Sequence, residues 1–209
     1  MIIAIDGSAA SGKGTLAKRL AKHFSLSHLD TGALYRAVGL QLLNTGQDPK
    51  NIVENQFVKL CVELDITLTT SHLIRTEKVA EMASLVAAMP VVREALLDLQ
   101  RQFAATPPEP NGAILDGRDI GTVVLPDADF KFFIDADIHT RAKRRTKELL
   151  QAGQSVMFRE VLSDMQERDS RDRSRSVAPL SLADDAIVID TSTMDADSVL
   201  ALALSHINA

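Results

Sequence analysis

The 209 residues predict an α/β fold: a parallel five-stranded sheet with helices on both faces. Three observations carry that prediction. Short apolar or β-branched runs alternate with stretches whose apolar residues recur at helical spacing. Each run is followed by Asp, Gly or Thr. A glycine-rich turn, Gly7-Ser8-Ala9-Ala10-Ser11-Gly12-Lys13-Gly14-Thr15, sits between the first run and the first helical stretch.

Met1–Ile5 is the first strand. Gly7 and Gly12 let the following backbone curl so that successive N–H groups point inward. A helix beginning near Lys13 aims its partly positive N-terminus at the same spot. Lys13 can then bridge the β- and γ-phosphates of a nucleoside triphosphate. Ser or Thr usually follows such a lysine directly; here Gly14 intervenes before Thr15. The first helix carries Leu16, Leu20 and Phe24 at i, i+4 and i+8. Ser27–Leu29 is the second strand, and a helix from about Gly32 carries Leu34, Val38 and Leu42.

The third strand, Ala113–Leu115, comes too late for a simple crossover. Between lie a helical stretch, Asn51–Leu64, and a short alternating piece, Ile66–Thr70. Two further helical stretches follow, broken at Met89-Pro90. Thr106–Gly112, rich in proline, is the loop back. Phe130–Ile134 and Ala186–Ile189 complete the strands, and a last helix from about Asp195 carries Val199, Leu200 and Leu204. Gly153–Ser176 is a second insertion candidate. One domain is therefore expected, with a core at 1–30, 112–150 and 176–209, an insert at about 31–111 and an arginine-rich segment at about 151–175.

Hydrophobic residues make up 45% of the chain and no stretch approaches a membrane span. The chain starts directly on a strand, which leaves no room for a signal peptide. Cys61 stands alone, inside an apolar run, and reads as a core thiol in a cytoplasmic protein. A monomer is expected. Net charge is −5, yet residues 141–175 hold ten Lys/Arg against six Asp/Glu, a balance of +4 that leaves −9 elsewhere. That distribution suits a small polyanionic ligand better than nucleic acid. His23, His28, His72, His139 and His206 show no metal-ligand spacing, and no metal site built from protein side chains alone is expected.

Three clusters carry the chemistry beyond the loop. Asp30–Arg36 follows the second strand, where ligands bind in open parallel sheets. Thr31 there either caps the helix or contacts a phosphate, with Arg36 one turn on. Asp116-Gly117-Arg118-Asp119 ends the third strand. Asp116 is placed to orient magnesium or its waters, and Arg118 offers a fork donor for phosphate oxygens. Glu167–Arg175 aligns Arg168, Arg171 and Arg175 on one helical face with Asp172. It reads as a solvated face, a nucleic-acid patch or, preferred here, a grip on a transferring phosphoryl group. Arg141, Arg144 and Arg145 extend the basic patch.

With Gly7–Thr15, Asp30–Arg36, Met82–Leu97, Asp116–Val123, and Glu167–Arg175 followed by Ala178-Pro179, the chain resembles the bacterial cytidylate kinases, among the nucleoside monophosphate kinases. The resemblance spans almost the whole length. It implies a P-loop NTPase-type fold with an inserted NMP-binding subdomain and a short lid. It implies phosphorylation of CMP and dCMP by ATP, with Mg²⁺ bound with the ATP. By resemblance, Thr31, Arg36, Arg118 and Arg175 hold the CMP phosphate, and Ser84, Arg93 and Asp119 read the cytosine. Arg168 and Asp172 meet the sugar, and Tyr35 packs near the nucleotide. Lys13, Arg118, Arg168 and Arg175, with Asp116, are then expected to serve the reaction itself. One departure stands out: the segment Leu64–Ile74 is about a dozen residues shorter than is usual in the family, so fewer strands are expected in the insert. The rivals are a kinase for AMP, UMP or shikimate, a GTP-binding switch and an RNA-binding protein. The Asn-Lys-x-Asp run of guanine readers is absent, and aromatics are not interleaved with the arginines.

Overall fold

Every apolar run read as a strand forms one, and each extends one or two residues beyond its apolar letters. The computed structural model describes residues 1–46 and 53–208. Its strands are β1 Ile2–Gly7, β2 Ser27–Asp30, β3 Ala113–Gly117, β4 Phe130–Asp135 and β5 Ile187–Asp190. They form one sheet in the order β2-β3-β1-β4-β5, with every pair parallel. The extra residues are polar or glycine: Asp30 pairs with Asp116, Asp6 with Gly117, and Asp135 with Asp190. Backbone pairing continues after the core has ended, and these residues enter the crevice at the carboxyl ends of the strands.

Both sheet faces are covered, which is why the central strands read as continuous apolar runs. Side chains alternate along a strand. Ile3, Ile5 and Ile114 therefore join a core with Leu16 and Leu20 of α1 (Lys13–Phe24) and Val199 and Ala203 of α8 (Ala196–Ile207). Ala4, Ala113 and Leu115 pack on the opposite face, with Ala104 of α5 (Pro90–Ala105) and Ile120 and Val124 of a π-turn (Ile120–Val124). Leu20 is fully buried; shortening such a leucine to alanine costs about 2–5 kcal/mol.

Between β2 and β3 run α2 (Thr31–Thr45), α3 (Glu54–Val62), α4 (Glu77–Val86) and α5. Residues 51 and 52 of the helical stretch expected at Asn51–Leu64 lie outside the described residues. Leu34, Val38 and Leu42 of α2 pack with Phe57 and Cys61 of α3, Val86 of α4, and Val92 and Leu96 of α5. Cys61 is buried, which pushes its thiol up to about 11. The alternating piece Ile66–Thr70 is a 3₁₀ turn, followed by another at His72–Arg75. Its threonines decide this. Thr69 and Thr70 donate their hydroxyls to the carbonyls of Ile66 and Thr67, at 2.7 and 2.9 Å, and Asp65 accepts from the Thr67 N–H at 3.0 Å. Such local bonds compete with a strand ladder. No strand lies among the described residues of 31–111.

After β4, α6 (Ile138–Gln151) and α7 (Phe158–Ser174) form a helical pair sealed by Ala142, Leu149, Val161 and Met165.

Candidate active site

A cleft of about 440 Å³ opens at the carboxyl ends of β1, β2 and β3. The chain runs from β1 to β2 past one side of the sheet and from β3 to β4 past the other. This is the switch point where α/β sheets bind ligands.

The glycine loop supplies one wall. At Gly7, φ is +150° and a Cβ would lie 1.9 Å from the Ile134 carbonyl oxygen, so glycine is required where the loop leaves β1 beside β4. Gly12, at φ +97°, is the N-cap of α1 and caps it with no side chain. The loop is pinned from behind. Ser8 Oγ donates to Asp135 Oδ1 at 2.5 Å, Thr191 Oγ1 to the Ser11 carbonyl at 2.7 Å, and Arg141 Nη1 to the Ala9 carbonyl at 3.3 Å. Ala9, Ala10, Gly12, Lys13, Gly14 and Thr15 line the cleft, while Gly7, Ser8 and Ser11 are buried behind it.

Two arginines expected in the basic patch do not reach the cleft. Arg141 is buried and donates to Asp169 at 2.6 Å and to the Ala136 carbonyl at 2.8 Å. Arg144 donates to the Thr191 carbonyl at 2.6 Å. Both turn to the back of the loop because α6 packs there. Arg145 does line the cleft, paired with Glu77 and, at 3.2 Å, with Glu148.

The end of β3 supplies the floor. His28 Nε2 lies 2.7 Å from Asp116 Oδ1. Thr31 Oγ1 donates to the Asp116 carbonyl at 2.9 Å, and Asp30 instead caps α2, accepting from the Ala33 N–H at 3.2 Å. The Thr31 hydroxyl thus fills neither expected role here: it does not cap α2, and its one hydrogen goes to the Asp116 carbonyl and not toward the cleft. Arg118 Nε donates to Asp172 Oδ2 at 2.8 Å. Burial opposes the Arg118 charge, but Asp172 holds its pKa above the ordinary value. Asp119 pairs with Arg93 and stands 3.6 Å from Arg175 Nη2. The Arg93 guanidinium lies 5.5 Å over the ring of Tyr35, a buried phenol whose pKa burial raises.

The opposite wall comes from α2, α4 and α7. Arg36 lines the cleft and donates to the Ile74 carbonyl at 2.9 Å. Of the face expected here, Arg168, Asp172 and Arg175 line the cleft; Arg175 does so from outside the helix, as the extended C-cap residue after Ser174, and not from the helical face the spacing predicts. Arg171 points elsewhere and donates to Ser84 Oγ at 2.8 Å, tying α7 to α4. Arg168 Nε and Arg175 Nη2 are buried atoms without a hydrogen-bond partner. Burial, with Arg118 adding to it, lowers Lys13 to about 8; Arg168 falls to about 10 for the same two reasons. Arg36 also falls to about 10, by burial and then by the charges of Arg168, Arg145 and Arg75. The cleft gathers more positive charge than its own carboxylates balance.

Two cleft-forming residues escaped the sequence reading. Asp6 accepts from the Ile120 and Gly121 N–H groups, both at 2.8 Å, and so shapes the turn bearing Asp119. Burial raises its carboxyl to about 6. An acidic residue inside an otherwise apolar strand was the available signal. His28 is the other, two residues before Asp30 and so on the same side of β2.

The sequence model of the family described as cytidylate kinase matches residues 3–209. The chain belongs to the cytidylate kinase family. A cytidylate kinase of Paramagnetospirillum magneticum is 51% identical over 208 residues, covering 100% of this chain and 98% of that protein. Another, from Rhodospirillum rubrum, is 51% identical over 205 residues, covering 98% and 95%. A crystal structure of an uncharacterized protein from Eubacterium ventriosum superposes with a TM-score of 0.56 at 17% identity, covering 100% of this chain and 99% of that one. Likeness at that identity concerns the fold alone.

Proposed function

We propose that the cleft transfers the γ-phosphoryl group of ATP to CMP and dCMP. Membership of the cytidylate kinase family supports the activity. The observation that carries its placement here is a pair of buried guanidinium atoms without a hydrogen bond, Arg168 Nε and Arg175 Nη2, each met only by a carboxylate, at 3.9 and 3.6 Å, in a cleft shared with Lys13, Arg36 and Arg118. Leaving a buried donor without a hydrogen bond costs about 1–3 kcal/mol, and a carboxylate beyond hydrogen-bond reach offsets only part of it. Phosphate oxygens, many and anionic, relieve that cost.

In this reading the loop residues Gly7–Thr15 cradle the ATP phosphates, through main-chain N–H groups and Lys13. Arg36, Arg118 and Arg175 hold the acceptor phosphate, joined by Thr31 when its hydroxyl turns from the Asp116 carbonyl. Ser84, Arg93 and Asp119 face the cytosine, Arg168 and Asp172 the sugar, and Tyr35 packs near the nucleotide. The acceptor phosphate is already anionic, so no strong base is needed. Catalysis is alignment of two phosphates and neutralisation of the charge between them. Lys13, Arg118, Arg168 and Arg175 surround that position. Residues 31–111 form the acceptor-binding insert and 151–175 the lid, on a core of 1–30, 112–150 and 176–209. Closure of the lid excludes water and limits wasteful hydrolysis.

Mg²⁺ is proposed to arrive with ATP. Asp116 fits it: a Cβ on Gly14 would lie 3.7 Å from Asp116 Oδ2, so this hard oxygen donor borders the phosphate loop. Asp116 would hold the ion or its waters, and the ion would neutralise β- and γ-phosphate oxygens. Among the described residues no helix is long and apolar enough to cross a membrane. The proposed setting is the cytoplasm and the proposed state a monomer.

The test is ADP formation with CMP, dCMP, UMP and AMP side by side. CMP and dCMP should lead. Equal or faster turnover of UMP or AMP would overturn the assignment.

A further inference from the structure

We propose that His28 is a positioning residue for phosphoryl transfer, fixing the Asp116 carboxylate against the phosphate loop. The inference rests on the kinase reading above. Strand β2 runs parallel to β3 with Asp30 beside Asp116 and His28 beside Ile114, so the imidazole rises along the strand edge toward the carboxylate. Its Nε2 lies 2.7 Å from Asp116 Oδ1. An ionised carboxylate has no hydrogen to give, so Nε2 must carry it and donate. The bond is shielded: the Asp116 side chain is 4% exposed and that of His28 is 17% exposed. Water is therefore a poor substitute donor.

The geometry divides the carboxylate in two. Oδ1 is taken by His28, while Oδ2 borders the loop at Gly14. The Asp116 main chain is held separately, by Thr31 through its carbonyl. Removing the imidazole leaves the main chain in place but frees the carboxylate to rotate. Oδ2 then no longer points to one place, and a buried acceptor loses its partner. Outer groups that orient a metal-facing carboxylate in this way typically matter about 10–100-fold in affinity or activity.

The experiment compares the parent protein with His28→Phe and His28→Gln. Gln retains an N–H donor at similar reach; Phe retains bulk without one. ATP binding is titrated calorimetrically with and without Mg²⁺, alongside kcat, KM and Tm. His28→Phe should bind metal-free ATP within about twofold of the parent, while losing about tenfold or more of the affinity that Mg²⁺ adds. Its kcat should fall by a similar factor with KM for CMP little changed. His28→Gln should recover most of both. An undiminished Mg²⁺ gain in His28→Phe would overturn the proposal. So would equal losses in Phe and Gln, or a parallel loss of metal-free ATP binding, since those mark a packing role. Failure of the parent to phosphorylate CMP would sink the kinase assignment instead, and the Mg²⁺-dependent binding would still judge His28.

Discussion

On one side of the cleft, nine consecutive residues, Gly7–Thr15, make a loop whose shape follows from two glycines and a helix start. On the other, Arg93, Arg118, Asp119, Asp172 and Arg175 arrive from separate parts of the chain and meet through arginine–aspartate pairs, while Thr31 bonds the Asp116 carbonyl and Ser84 accepts from Arg171. The loop is nearly complete once its neighbouring strand and helix exist. The opposite wall exists only when α2, α4, α5 and α7 are all docked. In the proposed reading the loop serves through main-chain N–H groups, which substitutions elsewhere should barely alter. The assembled wall presents guanidinium groups that restrain one another, so changing one carboxylate disturbs two arginines.

Lys13→Ala breaks the loop side hardest. Its side chain lines the cleft at the first residue of α1 and carries its charge there against burial and Arg118, so Tm should hold, while kcat falls about 10²–10³-fold or more from loss of a close cation at the transferring group. Near-normal turnover in a folded variant would remove the loop from the mechanism.

Asp119→Asn is the matching test of the assembled wall. Cytosine offers an amine donor where uracil offers a carbonyl, and a carboxylate accepts only from the former. The amide of Asn can turn to donate, so kcat/KM for CMP should fall and the CMP/UMP ratio should narrow by about tenfold or more. An unchanged ratio would place base reading elsewhere and withdraw Ser84, Arg93 and Asp119 together.

Arg175→Lys and Arg173→Lys sharpen the contrast within a few residues of α7. The Arg175 side chain is 5% exposed and faces Asp119, whereas that of Arg173 is 51% exposed, near Asp135 and Asp169. Loss of the planar fork at Arg175 should lower kcat by about tenfold, and the change at Arg173 should stay within about twofold. Equal small effects would return this segment to a solvated helix.

The smallest expected effect is a pH response from Lys13, lowered to about 8 by burial and then by Arg118. In the free enzyme it loses its proton as pH rises through 8, whereas a bound triphosphate favours the charged form. The Kd for ATP should therefore rise as pH passes 8. The same shift acts on stability with the opposite sign. The unfolded chain binds this proton up to about 10.5, so between 8 and 10.5 the Lys13 contribution to unfolding free energy grows with pH. A flat Kd from pH 7 to 9.5 would refute the depressed lysine.

The sequence alone determined the sheet, the loop and the helices whose apolar stripes are local: Leu16, Leu20 and Phe24, or Leu34, Val38 and Leu42. Periodicity and glycine placement are short-range properties, and the backbone obeys them. Strand ends escaped because main-chain pairing carries on through Asp30, Gly117 and Asp190, where hydrophobicity has already stopped. Ile66–Thr70 escaped because alternation does not reveal where threonine hydroxyls will bond. Only the tertiary structure decided which arginines face the cleft. Arg141, Arg144 and Arg171 look like Arg145, Arg168 and Arg175 in sequence, yet three of them brace the loop or a neighbouring helix and three line the cleft. A guanidinium's role depends on which carboxylate or carbonyl lies within reach, and docking of distant helices decides that reach. His28 and Asp6 follow the same rule: each became part of the site when β3 and its turn closed over them.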